Sequence, residues 1–122
     1  MIRDETVDYL ANIYAVVAAD GAVERIEERV FESIAREIGA GYFERKQAIE
    51  KINTGQWPVR LDLRWSDRIR NLEDMLFVGY CDGTLDPTEK QAIINYANLL
   101  SINQQQLGLI KEEAKRRFSE FE

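Results

Sequence analysis

The sequence predicts an all-α fold: a single-domain helical bundle made of two pseudo-symmetric helix-turn-helix repeats. Three observations carry that reading. Apolar residues recur at three- and four-residue spacing along most of the 122-residue chain. Only two prolines, Pro58 and Pro87, interrupt a composition rich in helix formers. The pair Asp20-Gly21 returns as Asp82-Gly83, a displacement of 62 residues (82 − 20), with the apolar pattern around it preserved.

The elements follow in order. Val7, Leu10, Ala11, Tyr14, Val17 and Ala18 place an amphipathic helix over residues 4–19, ended by Asp20-Gly21, where Gly can take the left-handed conformation. A second helix over about 24–38 turns Val30, Ile34, Ala35 and Ile38 inward, and Gly39-Ala40-Gly41 breaks it. A weaker third helix covers about 42–53. Residues 54–63 form a turn-rich connection whose Trp57 and Leu61 are expected to fold back onto the core; a short strand there lacks an obvious partner. The fourth helix, about 66–81, turns Ile69, Leu72, Met75, Leu76 and Tyr80 inward. The fifth, about 87–100, does so with Ile93, Tyr96, Ala97 and Leu100. The sixth starts after Asn103, set for a capping box with Gln106, and carries Leu107, Ile110, Ala114 and Phe118. Its late cations Lys115, Arg116 and Arg117 suit the helix C-terminal dipole and read as a solvated helix end.

The 62-residue displacement aligns the halves without a gap. Leu10 falls on Leu72, Ile13 on Met75, Tyr14 on Leu76 and Val23 on Leu85. Glu24 meets Asp86, Glu27 meets Glu89, Ile34 meets Tyr96, Ala35 meets Ala97 and Ile38 meets Leu100. Repeat one spans about 4–53 and repeat two about 64–121, and the two are expected to pack face to face in one domain.

Composition narrows the function classes. With 45% hydrophobic and 31% charged residues, the chain is too apolar for disorder. A net charge of −6 and a pI near 4.8 argue against nucleic acid as a partner, because phosphate contacts need clustered Lys and Arg. There is no His, which removes His-dependent triads, general-base histidines and most zinc geometries. The single Cys81 excludes an intramolecular disulfide; beside an apolar helix end it reads as a core residue, and one unpaired thiol fits a reducing compartment. Arg3, Asp4 and Glu5 follow Met1-Ile2 where a signal peptide would be apolar. The longest apolar run, 14–19, is far too short to cross a bilayer. The expectation is a cytoplasmic protein without direct membrane insertion.

Both Asp-Gly turns resemble the second half of a calcium loop. With Gly21 at loop position 6, Asp20 is at 5, Glu24 at 9 and Glu27 at 12; positions 1 and 3 are then Val16 and Ala18, or Val78 and Tyr80 in the second copy. Half of each loop carries no ligand, so an EF-hand is not expected. Helix capping explains much of the pattern. Asp86-Pro87-Thr88-Glu89 is a strong helix start with Asp as N-cap, Pro at N1 and Glu at N3, and Glu24 to Glu27 is a poorer copy. Val23 and Leu85 are expected as hydrophobic staples. Capping does not require acids at all three places in both copies. If the turns converge, Asp20, Glu24, Glu27, Asp82, Asp86 and Glu89 would share one region and favour a hard divalent cation: Ca²⁺, Mg²⁺ or Mn²⁺.

Asp-Gly, one residue, an aliphatic, three residues and Glu is the arrangement at Asp20, Gly21, Val23 and Glu27, and again at Asp82, Gly83, Leu85 and Glu89. In this the chain resembles the TerB-like family, which includes the tellurite-resistance TerB proteins and the N-terminal domain of DjlA-type co-chaperones. The resemblance covers most of the chain and is weakest over 54–63. It implies an all-α bundle of about seven helices, no established catalysis, and a role in bacterial stress response. It also implies metal binding at the acidic residues and docking to a protein partner, membrane-associated in that family. The chain has no J-domain His-Pro-Asp and no apolar span, so it does not match a complete DjlA-type protein.

Three functions are compatible with these features. The first is a non-enzymatic protein-interaction module marked by exposed aromatics, with Trp57, Trp65, Phe43 and Phe121 as candidates. The second is a divalent-metal-binding or metal-sensing protein using the six acids. The third, an enzyme, would need carboxylate acid/base chemistry in an enclosed cleft, and the acids lie in turns. The remaining charged cluster, Arg60, Arg64, Arg68 and Arg70 around Trp65, reads as helix-face pairing with Asp67 and Glu73.

Overall fold

A computed structural model describes residues 1–19, 21, 23–56, 63–81 and 85–121, the last without its side chain. Asp20, Asp82, Gly83, Trp57, Arg60, Leu61 and the Phe121 side chain, all given roles by the sequence, lie outside the described residues, as does most of the expected connection.

The helices are α1 Arg3–Val17, α2 Arg25–Glu37, α3 Tyr42–Asn53, α4 Trp65–Tyr80, α5 Pro87–Leu99 and α6 Gln104–Phe121. These are six among the described residues, against the seven that the family resemblance implies. They start at residues 3, 25 and 42 in one half and at 65, 87 and 104 in the other, so all three pairs keep the 62-residue displacement.

Packing repeats the same relation. α1 and α4 lie against each other; α3 packs on α1 as α6 packs on α4. α2 and α5 each touch both central helices. Exchanging α1 with α4, α2 with α5 and α3 with α6 returns the same set of packed pairs. The result is an all-α single-domain bundle with α1 and α4 at its centre.

The central position changes what α1 must be. The sequence gives it one apolar face, yet every residue from Thr6 to Ile13 is buried, with Val16 and Val17. A helix covered on all sides belongs to a core rather than to a surface. The same holds for α4, where Asn71, Leu72 and Asp74 to Gly79 are buried. Leu10, Ile13, Leu72 and Met75 are fully enclosed, each worth about 1.5–3 kcal/mol of transfer free energy. Ile93, Tyr96 and Ala97 on α5 and Leu100 at its C-cap are buried, as expected, and Cys81 is a core thiol. Leu63, closing the connection, is also buried.

Helix ends match as closely as helix starts. After α2, Gly39 takes φ +78°, its N–H bonds to Arg36 O, and Ala40 N–H reaches Ala35 O. After α5, Ser101 takes φ +59°, its N–H bonds to Asn98 O, and Ile102 N–H reaches Ala97 O. Both are Schellman ends, satisfying carbonyls that the helix leaves open. Ser101 is the one non-Gly residue with positive φ among those described.

One local expectation fails and another holds only in part. Val23 and Leu85 precede the N-caps, so their staple partners would be Glu28 and Lys90, neither of which is apolar. Val23 is accordingly exposed, and Leu85 packs instead beside Gly79 and Ile93. The basic run of α6 departs in part: Lys115 and Arg116 are exposed, as expected, but Arg117 is not, and the run does not end the helix. α6 continues to Phe121, and Arg117 lies against α4, half-buried, bonded to Asp74 and Glu73.

Candidate functional site

Asp86 is the N-cap of α5: its Oδ1 accepts the N–H of Thr88 at 2.8 Å and of Glu89 at 3.2 Å. Glu89 reaches back to accept the Asp86 N–H at 3.2 Å, completing the box. The bonds from the Thr88 side chain and from the Glu89 and Thr88 N–H groups hold the Asp86 carboxyl below its ordinary value. At α2 only the returning half forms. Glu27 accepts the Glu24 N–H at 3.0 Å, while Glu24 makes no capping bond of its own. Glu24's longer side chain is the physical difference from Asp86.

Glu27 and Glu89 are both buried, at 2% exposure, at equivalent places in the two halves. Glu24 is exposed and Asp86 half-buried. Among the described residues, no three or more His, Cys, Asp or Glu side chains gather into a group that could hold a metal. Asp20 and Asp82, the acids that capping does not require, lie outside those residues.

A second cluster sits where α1 crosses α4. The Tyr9 hydroxyl donates to Asp74 Oδ2, and Arg117 Nη1 donates to Asp74 Oδ1 at 2.6 Å. Asn12 Nδ2 donates to Asn71 Oδ1 at 2.8 Å, Asn71 Nδ2 donates to Tyr9 O at 3.0 Å, and the Tyr96 hydroxyl donates to Asn71 Oδ1 at 3.2 Å. Burial raises the Asp74 carboxyl above its usual range, against the pull of its bonds from Tyr9 and Arg117. Burial also raises the Tyr9 phenol and pushes Tyr96 up to about 12. Arg117 is held above its ordinary value: burial works to lower it, but Asp74 and Glu73 outweigh that. No buried side-chain nitrogen or oxygen lacks a partner among the described residues. A satisfied network of this kind joins the two halves and fixes their register.

Sequence reasoning missed this cluster because it tracked apolar positions. The signal was present as polar residues inside apolar helices: Asn12 aligns with Asp74 and Tyr9 with Asn71 under the same displacement. At the arginines, Arg64 pairs with Asp67 at 3.3 Å as expected, but Arg70 reaches Glu37 at 3.4 Å and Glu73 is taken by Arg117.

The surface supplies two apolar features. Tyr42 and Phe43 are more than half exposed with rings edge to face at 5.4 Å, and Trp65 is likewise exposed. Between α5 and α6, against Leu76 and Tyr80 of α4, lies a groove of about 490 Å³. Leu76, Leu85, Ile93, Ala97 and Ile102 line it, Ile94 and Leu107 form its two lips, and Lys90 and Lys111 stand at its rim. Lys111 and Lys115 both lie over the Tyr80 ring, at 5.6 and 5.0 Å from its centroid.

Compared with family models, curated proteins and solved structures, the chain matches none.

Proposed function

We propose that this chain is a non-enzymatic protein-interaction module. The reading follows the TerB-like resemblance, which implies service in a bacterial stress-response system of the tellurite-resistance type. The observation that supports it is the α5–α6 groove: apolar walls, a lysine rim and a volume within the range of binding pockets, about 300–1,000 Å³. An apolar recess on a strongly charged surface gains free energy when a partner side chain displaces its water. The perturbed groups are engaged elsewhere: Tyr9 is bonded to Asp74 and Tyr96 to Asn71, and none of these four residues lines that recess.

Position-dependent photocrosslinking in the producing cells tests the reading. A benzophenone amino acid at Ile94 or Leu107 is expected to give one discrete adduct, identifiable by mass spectrometry, that is not formed from Arg25 or Arg29 on α2. Equal labelling from all four positions overturns it.

A second reading is divalent-metal binding by Asp20, Glu24, Glu27, Asp82, Asp86 and Glu89. What favours it is the burial of Glu27 and Glu89 at equivalent positions of the two halves, each six residues after the Gly of an Asp-Gly pair in the sequence. Carboxylate oxygens suit Ca²⁺, Mg²⁺ or Mn²⁺.

A further inference from the structure

The two halves keep the same helices but treat the cleft beside the central helix differently. In the first half the cleft between α2 and α3 is occupied by the protein's own side chains. Tyr14 and Phe31 meet edge to face with centroids 5.6 Å apart, and Arg45 of α3 pairs with Glu32 of α2 across the opening. The equivalent residues in the second half are Leu76 for Tyr14, Ile93 for Phe31, Ile94 for Glu32 and Leu107 for Arg45. Two rings become two aliphatic side chains, and the bridging ion pair becomes two apolar lips. Gly108 stands where the first half has Lys46. These exchanges leave the groove open.

Charge indicates what the groove fits. The chain carries 22 acidic and 16 basic residues, yet the described lining has two lysines and no carboxylate. Lys115 adds a third cation over the Tyr80 ring. Lys90, Lys111 and Lys115 take part in none of the ion pairs formed among the described residues. An acidic protein that gathers unpaired cations around an apolar recess has the wrong local sign for a basic partner and the right one for an acidic partner.

We propose that this groove binds a short acidic segment of a partner protein. One or two large apolar side chains of that segment, aromatic ones above all, would occupy the space that Tyr14 and Phe31 fill in the first half. Its flanking Asp or Glu side chains would meet Lys90, Lys111 and Lys115. About 490 Å³ holds a few side chains rather than a whole helix, so the recognised stretch is short. This inference rests on the interaction-module reading and adds the partner's chemistry to it.

The test is selection from a displayed library of random twelve-residue peptides against the full chain, counter-selected on the double variant Ile94→Glu/Leu107→Arg. That variant installs the bridging pair of the first half, and its circular dichroism and thermal midpoint are checked against the parent. The expected result is enrichment of peptides with an aromatic residue flanked by Asp or Glu. Their affinity should fall at least tenfold on the double variant and on Lys90→Glu/Lys111→Glu. Enrichment of basic peptides, peptides indifferent to both variants, no enrichment, or sodium laurate displacing the peptides and binding as tightly would each overturn the proposal. If crosslinking from Ile94 still captures one partner while acidic peptides fail, the module reading stands and this inference falls. If both fail, both fall.

Discussion

Tyr9 and Asp74 lie 65 residues apart, and the hydroxyl of one is bonded to the carboxylate of the other at the crossing of the two central helices. They are not equivalent positions: Tyr9 aligns with Asn71, and Asp74 with Asn12. The repeat is therefore broken at its centre, where two chemically different pairs face each other. A symmetric apolar seam between α1 and α4 would tolerate sliding by a turn. A tyrosine that must meet an aspartate, beside an asparagine that must meet another, admits one register.

Tyr9→Phe removes one of the two side-chain donors seen on Asp74 while keeping the ring. Leaving a buried acceptor short of a donor costs about 1–3 kcal/mol. The loss should depend on pH. Burial already raises the Asp74 carboxyl, so the folded state holds a proton more tightly than the unfolded one just above the ordinary Asp range. On this group's account stability falls as pH rises through that window. The Tyr9 bond opposes the rise, so removing it lifts the folded value further. Urea unfolding from pH 4 to 7 should show a larger penalty for Tyr9→Phe at pH 7 than at pH 4. An equal penalty throughout would mean that Asp74 does not change charge over this range.

Ser101 holds φ +59° in the place where the first half has Gly39. A residue with a Cβ is strained there by about 1–2 kcal/mol, partly offset by the unfolded-state entropy that Gly adds. Ser101→Gly should raise stability by about 0.5 kcal/mol, read as a higher urea midpoint at unchanged slope. Gly39→Ser should lower it by about 1 kcal/mol. A destabilised Ser101→Gly would show that the serine side chain contributes more than its backbone costs.

Much of the fold was legible because its evidence is local. Capping residues, Gly breaks and apolar spacing placed six helices within one or two residues, and Asp86 with Glu89 forms the box that their spacing indicates. What was illegible is relational. Asp8, Asn12, Asn71 and Asp74 look like surface polarity on an amphipathic helix until the partner helix covers them. Arg117 reads as a solvated cation until α6 is laid along α4. The groove was unreadable for a different reason. It is defined by what is missing relative to Tyr14, Phe31, Glu32 and Arg45, and absence shows only once both halves are superimposed in sequence and packed in space.

The metal reading is decided by titration of the metal-free protein with Ca²⁺, Mg²⁺ and Mn²⁺, followed by backbone amide NMR. If the acids act together, saturable shifts should appear jointly over 20–27 and 82–89, and Asp20→Asn with Asp82→Asn should remove them. Weak shifts spread over all surface carboxylates would leave Glu27 and Glu89 as capping groups alone. Glu89→Ala separates the two roles. It should cost about 1 kcal/mol through the lost half of the box whether or not a metal binds.

Gly79 ties the groove to the core. A Cβ there would fall 2.5 Å from Leu85 Cδ1 and 3.5 Å from Ile93 Cδ1 and Val16 Cγ1. The equivalent position in the first half is Val17, so the small residue is particular to the half that carries the groove. Two effects compete in Gly79→Ala. Helix propensity favours Ala by about 1 kcal/mol, while the Leu85 side chain must swing away, a movement its flexible end allows. The expected outcome is stability within about 0.5 kcal/mol of the parent, with Leu85 displaced into the groove. Gly79→Val adds two methyl groups against Ile93 and Val16 and should cost about 1–3 kcal/mol by overpacking. Methyl NMR of Leu85 and Ile93 with urea midpoints reads both effects. A stable Gly79→Val protein with unmoved Leu85 signals would mean that the glycine keeps no space open, and that the groove's floor is set by Leu76 and Ile93 alone.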